Sequence, residues 1–148
     1  MTNHSTDVDL QLRIFPRQDA GYPVEITLGR HQVFPRGTLA ADVAGWTSSG
    51  DPAADGLALR ELLLADAAVR EAWIEARGQA PQRRIRLWID AGAAELHTLP
   101  WELLQDEGKV LSASSDTPFS RFLPVKLPWR GALEGRTLRV LVAIANPD

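Results

Sequence analysis

An α+β fold (mixed α/β) is predicted for this chain by three patterns in its residues. Apolar and polar residues alternate with a two-residue period in 8–14, 22–28 and 84–89, as in half-buried strands. Apolar residues recur at three- and four-residue steps through 56–78, the spacing of one helix face. A nearly all-apolar run, Thr137–Ala145, reads as a strand of a sheet covered on both sides.

Met1–Asp7 is polar and predicts a frayed end. Val8, Leu10, Leu12 and Ile14 then alternate with Asp9, Gln11 and Arg13. After a loop at 16–21, Tyr22, Val24, Ile26 and Leu28 alternate with Pro23, Glu25 and Thr27. The two runs predict an antiparallel hairpin. Pro23, without an N–H, belongs at a strand start or a sheet edge. Val33-Phe34 begins a short third strand that Pro35-Arg36-Gly37 ends. Leu39–Trp46 is apolar and ambiguous, and Thr47–Asp55 has loop composition.

One or two helices are expected over 56–78, with Leu59, Leu62, Leu63, Val69, Trp73 and Ala76 on the shared face. Asp66 suits an internal N-cap, and Gly78 suits the residue after the helix end. A strand at 84–89 follows, inward at Ile85, Leu87 and Ile89. Asp90-Ala91-Gly92 signals a turn. A short helix at 99–104 is then expected, started by Pro100 at its first position. With Leu99 as N-cap, Glu102 falls at the third position and can cap the free N–H groups. Gln105–Gly108 is a turn, 109–111 a short strand at best, 112–118 a polar loop and 119–125 a strand. The interrupted stretch 126–136 reads as a linker before the terminal strand 137–145. That strand, with no helix or strand after it, predicts missing neighbours.

The composition is that of an ordinary globular protein, with 45% hydrophobic and 24% charged residues. A net charge of −3 gives no strong attraction to nucleic acid or to an acidic membrane. There are no cysteines, so disulfides, thiolate metal sites and a cysteine nucleophile are excluded within this chain. The N-terminus lacks the pattern of a secretory leader, and no apolar run reaches membrane-spanning length. The expected compartment is the cytoplasm. No internal repeat is present.

The stretch Leu96-His97-Thr98-Leu99-Pro100-Trp101-Glu102-Leu103-Leu104, following the strand 84–89, resembles the N-terminal half of the CHAT family. These are caspase-like cysteine peptidase domains, related to caspases and separase and often found beside TPR repeats. The resemblance runs from about Leu57 to Asp148. In it, Leu138-Arg139-Val140-Leu141-Val142-Ala143-Ile144-Ala145-Asn146-Pro147 is similar to the first strand of the catalytic domain. The family's catalytic His and Cys lie downstream of the motif. The resemblance therefore implies an N-terminal α+β domain at 1–131, with a β-rich part at 1–46 and a CHAT-like part at 56–125. Residues 132–148 would be a linker and the first strand of a truncated caspase-like domain. The region before Leu57 matches no common family core.

Candidate chemistry is sparse. His97 lies in the motif near Glu95 and Glu102, but no cysteine exists for it to activate, which favours a structural imidazole. His4 and His31 are isolated, so no metal-ligand spacing exists. The serines at 112–120 lack a nucleophile elbow, and Ser48-Ser49-Gly50 lacks the lysine of a phosphate loop. Arg83, Arg84 and Arg86 beside Trp88 allow a single-stranded nucleic-acid face, but a solvated strand face with Trp88 packed on arginines fits the negative chain better. Trp46, Trp88 and Trp129 are the candidate interface tryptophans, joined by Leu138, Val140 and Val142 for the missing part of the sheet. The motif residues Leu96, His97, Leu99, Pro100, Trp101, Glu102, Leu103 and Leu104 are expected to be structural.

These readings predict a non-catalytic N-terminal fragment of a CHAT-type peptidase that serves as a scaffold, regulatory or protein-interaction region. The alternative is a stand-alone adaptor that self-associates or binds a protein through strand 137–145. The expected partner is protein, whether the missing caspase-like half or a second copy. Neither nucleic acid, membrane nor cofactor is expected, and the chain by itself should not be an enzyme.

Overall fold

The computed structural model describes residues 8–122 and has an α+β fold. The expected terminal strand 137–145, the linker 126–136 and the division at 131–132 lie outside the described residues. The hairpin forms as expected, from β1 (Val8–Ile14) and β2 (Tyr22–Leu28), with Leu12 opposite Ile26. Short strands β3 (Gln32–Val33) and β4 (Gly37–Leu39) both pair with the far side of β2. The ambiguous stretch thus resolves into β4 and a 3-10 turn at Ala41–Gly45.

Two helices follow, α1 (Pro52–Leu63) and α2 (Ala67–Gln79). Asp66 caps α2 by accepting from the N–H groups of Ala68 and Val69, at 2.8 and 3.1 Å. Two boundaries depart from expectation. The first helix begins at Pro52, inside the stretch read as a loop, because Asp51 accepts from Ala53 N–H and Pro52 takes the first helical position. Loop-like composition there is the helix start itself. Gly78 does not end the second helix. The helix runs on to Gln79, with Ala80 as C-cap and Pro81 next.

Strand β5 (Arg83–Ile89) lies parallel to β1, with Leu10, Leu12 and Ile14 beside Ile85, Leu87 and Ile89. Residues 91–98 form consecutive 3-10 turns rather than one tight turn, with Asp90 capping Gly92 N–H. The expected proline-started helix at 99–104 is only a three-residue 3-10 turn, Trp101–Leu103. Pro100 flanks it with ψ of 66°, outside helical values, and Glu102 makes no cap. Leu99 is extended, as a residue before proline prefers.

A small hairpin joins β6 (Gln105–Asp106) to β7 (Lys109–Val110). Its two turn residues, Glu107 and Gly108, both have positive φ. After a 3-10 turn at Leu111–Ala113, β8 (Phe119–Phe122) pairs parallel with β5. The main sheet runs β3-β2-β1-β5-β8, with β4 also beside β2.

One core joins the inner sheet face to both helices. It includes Leu10, Leu12, Ile26, Ile85 and Leu87 with Leu59, Leu63, Val69 and Trp73. Helix α2 packs on β2 and β4, while α1 packs on the Trp101–Leu103 turn and on β6. Gly56 permits that second contact, since a methyl group there would overlap the Leu103 carbonyl oxygen. The fold therefore places the helices over one face of the sheet and clamps the motif segment beneath α1.

Candidate interaction face

The outward residues of the same strands make the other face. Asp9, Gln11 and Arg13 on β1 stand beside Arg84, Arg86 and Trp88 on β5. Ser120 and Phe122 continue the rows on β8. Trp88 stacks on Phe122, with ring centroids 6.1 Å apart and planes 20° from parallel. Cations and rings alternate across the sheet from there. Arg13 reaches over Trp88 at 6.0 Å and over Phe15 at 4.5 Å, Arg36 also lies over Phe15 at 4.3 Å, and Arg86 lies over Phe122 at 5.7 Å. Such contacts contribute roughly 0.5–1 kcal/mol each at exposed sites. A small cleft of about 100 Å³ opens between Gln11, Arg86, Trp88 and Phe122.

Carboxylates neutralise most of this charge. Asp9 pairs with Arg84 at 2.7 Å and Arg86 at 3.4 Å, and Glu25 pairs with Arg36 at 2.8 Å. Asp90 stands 3.7 Å from Arg13. By sequence, Arg83 belongs with Arg84 and Arg86 in one basic spot. That grouping fails, because Arg83 is only 2% exposed and faces the core. Trp88 packs on Phe122 and Arg13 instead of on the arginines of its own strand.

Arg83 belongs to a cluster that the sequence did not reveal. Asp106 accepts from Trp73 Nε1 at 3.1 Å, Arg77 Nη1 at 3.0 Å and Arg83 Nη2 at 3.4 Å. Arg60 approaches the same carboxylate at 3.8 Å. Arg83 also donates to the carbonyls of Ala80 and Pro81 and lies over the Trp73 ring. One carboxylate in a two-residue hairpin thus ties together both helices and the start of β5. Trp73 and Arg77 share a face of α2 at a four-residue step, but no spacing rule joins them to residues 60, 83 and 106, so only the fold could assemble the cluster.

The motif residues act as braces. Leu96, Leu99, Trp101 and Leu104 are buried, and Trp101 Nε1 donates to Leu96 O at 2.8 Å. Leu103 and Pro100 are half-buried and His97 is partly covered. Glu102 pairs with Arg121 of β8 at 2.8 Å. Burial, and then the nearby Arg121, push the His97 imidazole below its usual pKa, so it does not favour the charged form. Trp46, half-buried, lines an open groove of about 440 Å³ with Ser48, Pro52, Pro100 and Leu103. Trp129, Leu138, Val140 and Val142 lie outside the described residues.

Two other carboxylates are held in their charged form by hydroxyl donors. Ser48 and the Ser49 N–H and hydroxyl donate to Asp55 and lower its pKa. Tyr22 O–H donates to Glu95, which lowers the Glu95 pKa, while burial and that carboxylate raise the tyrosine's. Both arrangements fix loops. Carboxylates with such low proton affinity make poor general bases near neutral pH.

Among the described residues no group of three His, Asp or Glu could hold a metal ion. No helix there is long and apolar enough to cross a membrane. No protein-family model, curated protein or solved structure matches this chain.

Proposed function

We propose that this chain is the non-catalytic N-terminal part of a CHAT-type, caspase-like cysteine peptidase, and that it serves in the cytoplasm as a scaffold against which a catalytic part docks. The carrying observation is a sheet face that no helix covers among the described residues. Strands β1, β5 and β8 run parallel, and parallel strands are generally covered on both sides. Among the described residues, the helices cover one side only. The other side carries the Arg36–Phe15–Arg13–Trp88–Phe122–Arg86 ladder, rich in the residue types that anchor protein interfaces.

The motif supports the same reading from within. Its apolar residues brace a core and present no nucleophile. With no cysteine among 148 residues, a cysteine nucleophile would have to come from another segment. Sequencing the reading frame past Asp148 is the first test. A later His segment and a Cys-bearing strand are expected, and their absence would overturn the peptidase assignment. The docking role is tested separately by titrating such a catalytic segment onto the 148-residue chain. Trp88→Ala and Phe122→Ala should each weaken binding at least tenfold, as anchors near an interface centre do. Unchanged affinity would remove the face from the proposal.

A second reading rests on β8. It pairs with β5 on one side, and its other edge has no partner strand among the described residues. Such an edge accepts an added strand, so a stand-alone adaptor or self-associating module follows. Light scattering would show a concentration-dependent dimer in that case and a monomer in the first.

A further inference from the structure

The half of the motif that touches β8 is held by one side chain. Arg121 Nη1 donates to the carbonyls of His97 at 2.9 Å and Leu99 at 3.2 Å. Its Nη2 pairs with Glu102 at 2.8 Å. A single guanidinium therefore staples residues 97, 99 and 102 to the edge strand. Beside it sits the His97 ring. Both ring nitrogens are shielded from solvent, and neither has a hydrogen-bond partner among the described residues.

That arrangement accommodates a neutral imidazole poorly and an imidazolium worse. The charged ring would carry two shielded N–H donors without acceptors, next to a cation. Charged groups on the surrounding elements do not offset this. Asp42 on the 41–45 turn is exposed, and Arg84 and Arg86 lie on the opposite face of β5, where they pair with Asp9. Glu95 on the ring's own segment is held by Tyr22, and Glu102 is held by Arg121. Among the charges near His97, that of Arg121 acts on the ring.

We propose that His97 is the trigger of an acid-sensitive latch, whose protonation swings the ring out to water, displaces Arg121 and loosens residues 97–104 from β8. Because the ring is only partly covered, it can reach solvent by a local opening without unfolding the core. The proton is taken up from water at a ring nitrogen, and no bond other than that N–H forms. The sign follows from linkage. A histidine whose folded pKa lies below its unfolded value of about 6.5 contributes its full stabilisation above that pH and loses it as the pH falls toward the folded value.

The test uses the full 148-residue chain, with NMR titration of its histidines and amide exchange at pH 7.5 and 5.5, corrected for intrinsic chemistry. His97 should titrate below about 6.5, and exchange at residues 97–104 should accelerate in acid by up to about tenfold for each unit of displacement. His97→Phe should abolish the acceleration, and His97→Gln serves where that variant fails to fold. Arg121→Met should exchange fast at both pH values. A His97 pKa at or above 6.5, pH-independent exchange, or acceleration that survives in the His97 variant would each overturn the latch.

Discussion

The two faces of one sheet differ more than any two segments of this chain. On β5, Ile85, Leu87 and Ile89 are fully buried beneath the helices, while Arg84, Arg86 and Trp88 between them are not. The inner face is held by close-packed apolar side chains, where each lost methylene is felt. The outer face is held by stacked rings, guanidinium groups and ion pairs, which water and salt weaken. The same strand therefore carries a packed apolar core on one side and an exposed lattice of rings and charges on the other.

The contrast can be attacked by mutation, beginning where the largest effect is expected. Asp106→Ala leaves Arg83 without its carboxylate and should cost about 3–5 kcal/mol in denaturant unfolding, as breaking a buried ion pair does. Leu87→Ala opens a cavity on the inner face and should cost about 2–5 kcal/mol. Its sequence neighbour Trp88→Ala, on the outer face, should cost clearly less than Leu87→Ala. Equal losses would mean that the outer face is as much a core as the inner one. Gly56→Ala should cost about 1–3 kcal/mol, since the new methyl forces α1 away from the Leu103 carbonyl. Asp66→Ala removes the α2 cap at about 1 kcal/mol. The finest measurement is a double-mutant cycle on Trp88 and Phe122, expected to return about 0.5–1.5 kcal/mol of coupling.

Much of the fold is legible from local pattern. The β1–β2 hairpin and β5 follow from strict alternation, and the break between the helices follows from Asp66. The misread boundaries share a cause. Asp51-Pro52 has the composition of a loop and of a helix start alike, and Gly78 was tolerated inside a helix whose end Ala80-Pro81 decides. In the motif, local spacing gives Glu102 a helix-capping place, whereas Arg121, distant in sequence, offers it a charged partner. Local rules cannot weigh a competitor that arrives through the fold.

The sequence alone determined which apolar residues of β1, β2 and β5 face inward, because side-chain direction along a strand is set by backbone period. It also determined that no cysteine chemistry resides in this chain. Only the tertiary structure decided that β1, β5 and β8 run parallel, that Asp106 gathers three arginines, and that Arg121 staples the motif beside a His97 ring with no hydrogen-bond partner among the described residues. Those facts depend on contacts between residues far apart in the chain, and periodicity carries no information about which distant side chains will meet.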